Sequence, residues 1–131
     1  MVRIDNDSPK PIYEQIYDEF VRLIVSKVLK SDEKLPSVRE LASIIRINPN
    51  TIQKAYKLLE SNNYIYSLKG TGNFVKNDED LYKVHLKKLV KELKETIRSL
   101  KKINTSDDEI ISIVNAIMKG DDKIVKNQWF K

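Results

Sequence analysis

The stretch from Ser37 to Ser61 constrains this chain more than any other, because it spells two helices with almost no room between them. Ser37-Val38-Arg39-Glu40 has the form of a capping box, in which serine and glutamate each satisfy an orphan N–H of a first helical turn. Val38, Leu41, Ala42 and Ile45 supply one apolar face and are followed at once by Ile47-Asn48-Pro49. Asparagine is a strong N-cap, and proline suits the first helical position, where its missing N–H costs nothing. A second helix therefore opens at Pro49 and runs to about Ser61. Ile52, Ala55, Tyr56 and Leu59 fall at i, i+3, i+4 and i+7, so they form its buried face, with Tyr56 read as core rather than as a stacking surface. Asn50, Thr51, Gln53, Lys54 and Lys57 are left outside. Two short helices around a tight turn describe a helix-turn-helix. An outward face of amides, a hydroxyl and ammonium groups is the chemistry that meets base edges and phosphates of double-stranded DNA.

The flanks complete a known order. Pro9 and Pro11 punctuate the start of a helix reaching about Val28, with Ile12, Ile16, Phe20, Leu23 and Ile24 as its stripe and Tyr13 and Tyr17 as core or interface. Ile4 is assigned to a short lead-in strand, and Lys30 to Leu35 to a polar loop. After the second short helix, Tyr64 to Leu68 and Asn73 to Lys76 read as two strands around a turn at Lys69-Gly70-Thr71-Gly72. Helix, tight turn, helix and hairpin make a winged helix-turn-helix: mainly α with one small β-hairpin, assigned to residues 1–77.

The last third changes character. Tyr82, Leu86, Leu89, Val90, Leu93, Ile97 and Leu100 recur at intervals of three and four over a helix from about Asp80 to Ile103. Ser106-x-x-Glu109 offers another capping box, and Ile110, Ile113, Val114, Ile117 and Met118 stripe a shorter helix closed by Gly120. Two such helices form marginal structure alone, and one small winged helix offers little surface to cover them. Leu86, Val90, Leu93, Ile97, Leu100, Ile113 and Ile117 are therefore expected to form a dimerisation seam in a two-helix domain over 78–131 that ends in a polar tail carrying Trp129-Phe130.

A net charge of +5 permits a polyanionic partner without requiring one. Its placement adds more: from Arg46 to Lys76 the cations are Arg46, Lys54, Lys57, Lys69 and Lys76 against Glu60 alone, a local net of +4. No cysteine means no disulfide framework or thiolate metal site. The N-terminus lacks the apolar core of a signal peptide and no stretch has the length of a membrane span, so a cytoplasmic location and no membrane partner are expected. His85 is the sole histidine and sits in no ligand constellation. No paired carboxylates, nucleophile–base set or phosphate-binding loop points to an enzyme, a metal or a cofactor. Nothing in the chain designates a small-molecule effector.

With these segments in place, the chain resembles the GntR family of bacterial regulators, in particular its short YtrA-like branch. The resemblance rests on Pro11-Ile12-Tyr13-Glu14-Gln15-Ile16, on Leu35-Pro36-Ser37-Val38-Arg39-Glu40-Leu41-Ala42, on Asn48 to Tyr56, and on Gly70-Thr71-Gly72 with Phe74-Val75. It implies a homodimeric repressor that binds an inverted-repeat operator, often beside the ABC transporter it controls. By position, it implies DNA contacts at Arg39, at Asn48, Asn50, Thr51 and Gln53, and at a wing tip of Lys69 and Gly70. Ser37, Arg46, Lys54, Lys57 and Thr71 complete the expected contact set. An architectural or partner-recruiting winged-helix protein with little sequence preference is the competing reading. The pattern departs from the family at four positions. Arg46 stands where relatives usually carry glycine in the turn, Lys27 and Asp32 stand where glycines are common, and Asn73 replaces a threonine or serine. Either the turn at Arg46 is built differently, or the arginine accepts left-handed strain and gains a phosphate contact.

Overall fold

A computed structural model describes residues 2–120; the tail that carries Trp129-Phe130 lies outside them. The element order is α1 (Ile12–Val25), α2 (Val38–Ile45), α3 (Pro49–Ser61), β1 (Ile65–Leu68), β2 (Gly72–Val75), α4 (Leu81–Lys102) and α5 (Asp107–Met118). That is the winged helix-turn-helix order followed by two further helices. Residues up to His85 form one compact unit and those from Leu86 a second, the change falling inside α4.

In the first unit α1 lies on α3, and α2 packs against α3 in turn. Ile16, Phe20 and Ile24 of α1 meet Leu41 of α2 and Ile52, Ala55, Tyr56 and Leu59 of α3, with Ile65 and Val75 of the hairpin and Leu81 of α4 in the same core. The Phe20 and Tyr56 rings meet edge to face, 5.6 Å between centroids, an arrangement the ring quadrupoles favour. The buried residues of α3 are the four its periodicity marks.

The hairpin is antiparallel, with Ile65 opposite Val75, Tyr66 opposite Phe74, Ser67 opposite Asn73 and Leu68 opposite Gly72. The second strand thus starts one residue before the expected Asn73. A larger difference lies in the segment read as a plain loop. The Asp32 N–H donates to Val75 O (2.9 Å), Val75 N–H to Glu33 O (2.9 Å) and Leu35 N–H to Asn73 O (2.8 Å), and Lys34 bridges Phe74. Residues 32–35 therefore cover the outer edge of β2, whose backbone groups would otherwise be unpaired. Nothing in their polar composition announces this.

Other boundaries shift for local reasons. The first helix stops at Val25, not near Val28, because Lys27 turns left-handed (φ 63°) and the Leu29 N–H bonds back to Leu23 O at 2.9 Å. Ile4 is not in a strand. The chain there is held by a side chain instead: Asp5 N–H donates to Gln15 Oε1 (2.8 Å), and Gln15 Nε2 donates to Asp5 O (3.0 Å) and Lys10 O (2.9 Å).

In the second unit, Asn104 adopts the left-handed conformation (φ 65°) after α4, and the Thr105 N–H reaches Leu100 O at 3.0 Å, which absorbs a terminal carbonyl. Ser106 then caps α5, its hydroxyl accepting from Glu109 N–H at 3.2 Å. Ile110 and Ala116 are buried, and Gly120 (φ 72°) follows the last turn.

Candidate nucleic-acid interface

The local chemistry of α2 and α3 sets which polar groups remain free to meet a ligand. At the start of α2 the Ser37 hydroxyl accepts from Glu40 N–H at 3.1 Å, so its own proton stays available to donate. Arg39, on the first turn, is exposed. At the start of α3 the Asn48 carbonyl oxygen accepts from Asn50 N–H at 2.8 Å. The cap occupies one lone pair of that oxygen, and the side-chain NH2 of Asn48 remains free of it to donate. Asn50, Gln53, Lys54 and Lys57 are exposed and Thr51 half-buried, all opposite the Ile52–Leu59 face.

Arg46 resolves the doubtful turn. It caps α2 in the left-handed conformation, φ 56° and ψ 47°, with its N–H on Ala42 O, and the following Ile47 N–H reaches the same carbonyl at 3.3 Å. The backbone is therefore the one that glycine would serve most easily, and the arginine adopts it with its side chain exposed. Lys27 (φ 63°) and Asp32 (φ 64°), the other two departures from glycine, are also left-handed. The chain keeps the glycine conformation at all three positions without the glycine.

A buried hydroxyl registers the two helices. Tyr56 donates to Pro36 O at 2.7 Å, which ties the segment entering α2 to the middle of α3. Burial pushes its phenol well above the ordinary tyrosine range, so it stays a donor. Tyr13 of α1 holds one of the outward residues: the Lys54 ammonium lies 4.0 Å from its ring centroid, a cation–π contact. Sequence reasoning placed Tyr13 in core or interface and missed this link. A tyrosine one turn before a stripe residue carries no signal of which lysine it meets.

The wing is anchored at both ends. Gly70 (φ 78°) makes its tip, and Thr71 N–H closes the turn on Leu68 O at 2.9 Å. At Gly72 (φ 137°) an added Cβ would come within 2.9 Å of Lys34 Cε. Lys69, Gly70 and Thr71 are exposed. The Ser67 hydroxyl bridges the Glu60 carboxylate and the side-chain amide of Asn73 (2.7 Å), tying β1 to the end of α3. Tyr66 stacks on Phe74 and donates to Asp32 at 2.8 Å. Asn73, the fourth departure, thus has a partner here. His85 meets Tyr64, whose hydroxyl lies 3.3 Å from its Nδ1.

This arrangement is shared with known proteins. A profile described as "Bacterial regulatory proteins, gntR family" matches residues 12–75. Over 114 residues the chain is 32% identical to the HTH-type transcriptional regulator YhcF of Bacillus subtilis, covering 86% of this chain and 94% of that one. The chain belongs to the GntR family. As a GntR protein it is a DNA-binding transcription regulator, and neither the family nor these relatives are enzymes. It is also 49% identical over 75 residues to the HTH-type transcriptional repressor YtrA of Bacillus subtilis, a match spanning 57% of this chain and 58% of that repressor. Among solved structures, a GntR family regulator from Listeria monocytogenes superposes with a TM-score of 0.72 at 35% identity, covering 86% of this chain and 97% of its own. The AraR DNA-binding domain in complex with operator ORX1 aligns with a TM-score of 0.52 at 29% identity, over 57% of this chain and 94% of that domain.

The residues expected at a seam lie on the second unit's helices. Leu86, Val90, Leu93 and Ile117 are 44%, 41%, 53% and 58% exposed, while Ile97, Leu100 and Ile113 are half-buried. Among the described residues no helix is long and apolar enough to cross a membrane.

Proposed function

We propose that this GntR protein is a cytoplasmic homodimeric repressor that binds an inverted-repeat operator, one half-site per copy. The observation that carries the reading is the outward face of α3, where Asn50, Thr51, Gln53 and Lys54 stand exposed or half-exposed on the first two turns of a helix whose other face is core. The N-terminal part of a recognition helix is what enters the major groove. Asn50, Thr51 and Gln53 have the donors and acceptors to choose bases. Arg39, Arg46, Lys54 and Lys57 suit phosphates, with Ser37 and the Asn48 amide as neutral donors beside them. Lys69, Gly70 and Thr71, exposed at the wing tip, would enter the adjacent minor groove.

Dimerisation is supported by the row of exposed leucine and valine on α4, which water disfavours and a second copy would cover. Leu86, Val90 and Leu93 form that row, and Ile97 and Leu100, with Ile113 and Ile117 of α5, complete the proposed seam. Two recognition helices in a symmetric dimer require a palindromic site with half-sites about 34 Å, or a multiple, apart. Repression is then steric. Likeness to the repressor YtrA supports a short-branch repressor, and an ABC transporter operon is the target that the family resemblance implies.

Selection of duplexes from a random library by the full chain tests this. An enriched inverted repeat is expected. Enrichment of no motif over random DNA overturns sequence-specific regulation in favour of an architectural role, and a lone half-site overturns the symmetric dimer. Deleting the gene should raise transcription of the target operon; unchanged transcription would sink repression.

A further inference from the structure

Residues 1–77 carry a net charge of +3, and the positive charge is densest on one helix beyond them. Helix α4 holds eight cations against Glu92 and Glu95, a net of +6, so the rest of the chain sums to −1 out of a total of +5. Within the second unit, Lys87, Lys91, Lys94 and Arg98 follow one another at i, i+4, i+7 and i+11. At about 100° per residue these four fall within roughly 60° of one another around the helix, over about 16 Å of its length. Each stands one residue after a seam residue, Leu86, Val90, Leu93 and Ile97 in turn, so the basic stripe runs alongside the apolar one without being part of it. Leu86, Lys87, Val90, Lys91, Lys94, Glu95 and Arg98 line one shallow surface groove.

Among the described residues no carboxylate pairs with the stripe. All four side chains are exposed, and none is in an ion pair among the described residues, where Lys101 with Asp107 is the pair α4 forms. Glu95 is the one carboxylate on the groove. A coiled-coil seam through Leu86, Val90, Leu93 and Ile97 does not use them either. In a parallel pairing the positions facing Lys87 and Lys94 across the seam are Tyr82 and Leu89, which carry no charge.

We propose that Lys87, Lys91, Lys94 and Arg98 form a second DNA-binding surface that grips duplex phosphates without reading sequence. The proposal rests on the family's DNA binding, which supplies the polyanion. Regularly spaced cations on one face of a helix, in no ion pair among the described residues, suit a line of phosphates, and such contacts add affinity by releasing counterions. The winged helix would then choose the site while α4 supplies much of the salt-dependent grip.

The test is the salt dependence of binding to a 60-base-pair duplex carrying a site selected by the full chain. The variant Lys87→Gln/Lys91→Gln/Lys94→Gln/Arg98→Gln keeps helix propensity nearly constant. If all four touch phosphates, its log–log salt slope should be shallower by about 3.6, at about 0.9 per contact. Between 50 and 200 mM salt, wild-type affinity would then fall about 150-fold further than the variant's. Lys27→Gln/Lys30→Gln/Lys88→Gln/Lys119→Gln removes the same charge elsewhere and should leave the slope within about one unit of wild type. Equal flattening by both variants would show a net-charge effect and overturn the proposal, as would an unchanged slope in the stripe variant. Should the quadruple variant misfold by circular dichroism, the Lys87/Lys91 and Lys94/Arg98 pairs are measured separately, each expected to carry about half the change. Stripe-dependent binding to phosphatidylserine vesicles with no change in the DNA slope would assign the surface to a membrane and overturn DNA. In none of these outcomes is selection of the site by the winged helix affected, so the two readings fail separately.

Discussion

Replacing Arg46 with glycine should move stability and DNA binding in opposite directions. Arg46 sits at φ 56°, ψ 47°, where a side chain crowds the following carbonyl at a cost of about 1–2 kcal/mol. Glycine removes that cost but returns about 0.4–1 kcal/mol of backbone freedom to the unfolded chain. The C-cap bonds to Ala42 O are main-chain bonds, so they survive the change. The balance is a gain of about 0–1.6 kcal/mol, centred on about 0.8 kcal/mol, which corresponds to a rise of roughly 3–6 °C in Tm for a unit of this size. Arg46→Gly also removes an exposed cation at the turn between the two helices. If its partner in the complex is a phosphate, the salt slope of operator binding should fall by about 0.9. Calorimetric unfolding at fixed protein concentration and fluorescence anisotropy across salt read the two effects independently. A lowered Tm would mean that the arginine stem packs favourably enough to outweigh the backbone cost, and the strain argument would be wrong. A raised Tm with an unchanged slope would remove Arg46 from the interface.

Gln53→Ala should relax base preference at one position of each half-site, costing about 1–3 kcal/mol there; an identical selected motif would displace the proposed register of α3. Arg39→Ala should weaken binding to all sequences and flatten the salt slope, whereas a sequence-dependent loss with the slope intact would make it a base reader. Tyr56→Phe deletes the bond to Pro36 O and should cost about 1 kcal/mol in urea denaturation, with a loss beyond 0.3 kcal/mol required to keep that bond as the register between α2 and α3. Leu93→Asp should convert a dimer to monomer in sedimentation, because a carboxylate cannot be buried unpaired at low cost, and a persistent dimer would move the seam elsewhere.

How far the residues announced the structure differs from element to element. The α3 face was legible because Ile52, Ala55, Tyr56 and Leu59 repeat at the helical period, and one buried face dictates the opposite one. The caps at Ser37, Asn48 and Ser106 were legible because capping depends on neighbours two or three residues away. The edge formed by residues 32–35 was not, since its three bonds go to Asn73 and Val75, about forty residues on. The same holds for Lys54 over Tyr13 and for Ser67 between Glu60 and Asn73. Each joins residues that local pattern treats as unrelated.

By itself, then, the sequence determined that a tight turn separates two short helices, which face of the second is buried, and where a hairpin and a long amphipathic helix follow. These depend on period and on near neighbours. Only the tertiary structure decided that Arg46 takes the left-handed conformation. A non-glycine there is disfavoured locally, and it is the packing of α2 on α3 through Leu41, Ile52 and Tyr56 that outweighs the penalty. The chain reverses between these helices because their shared core demands it, and the turn residue conforms.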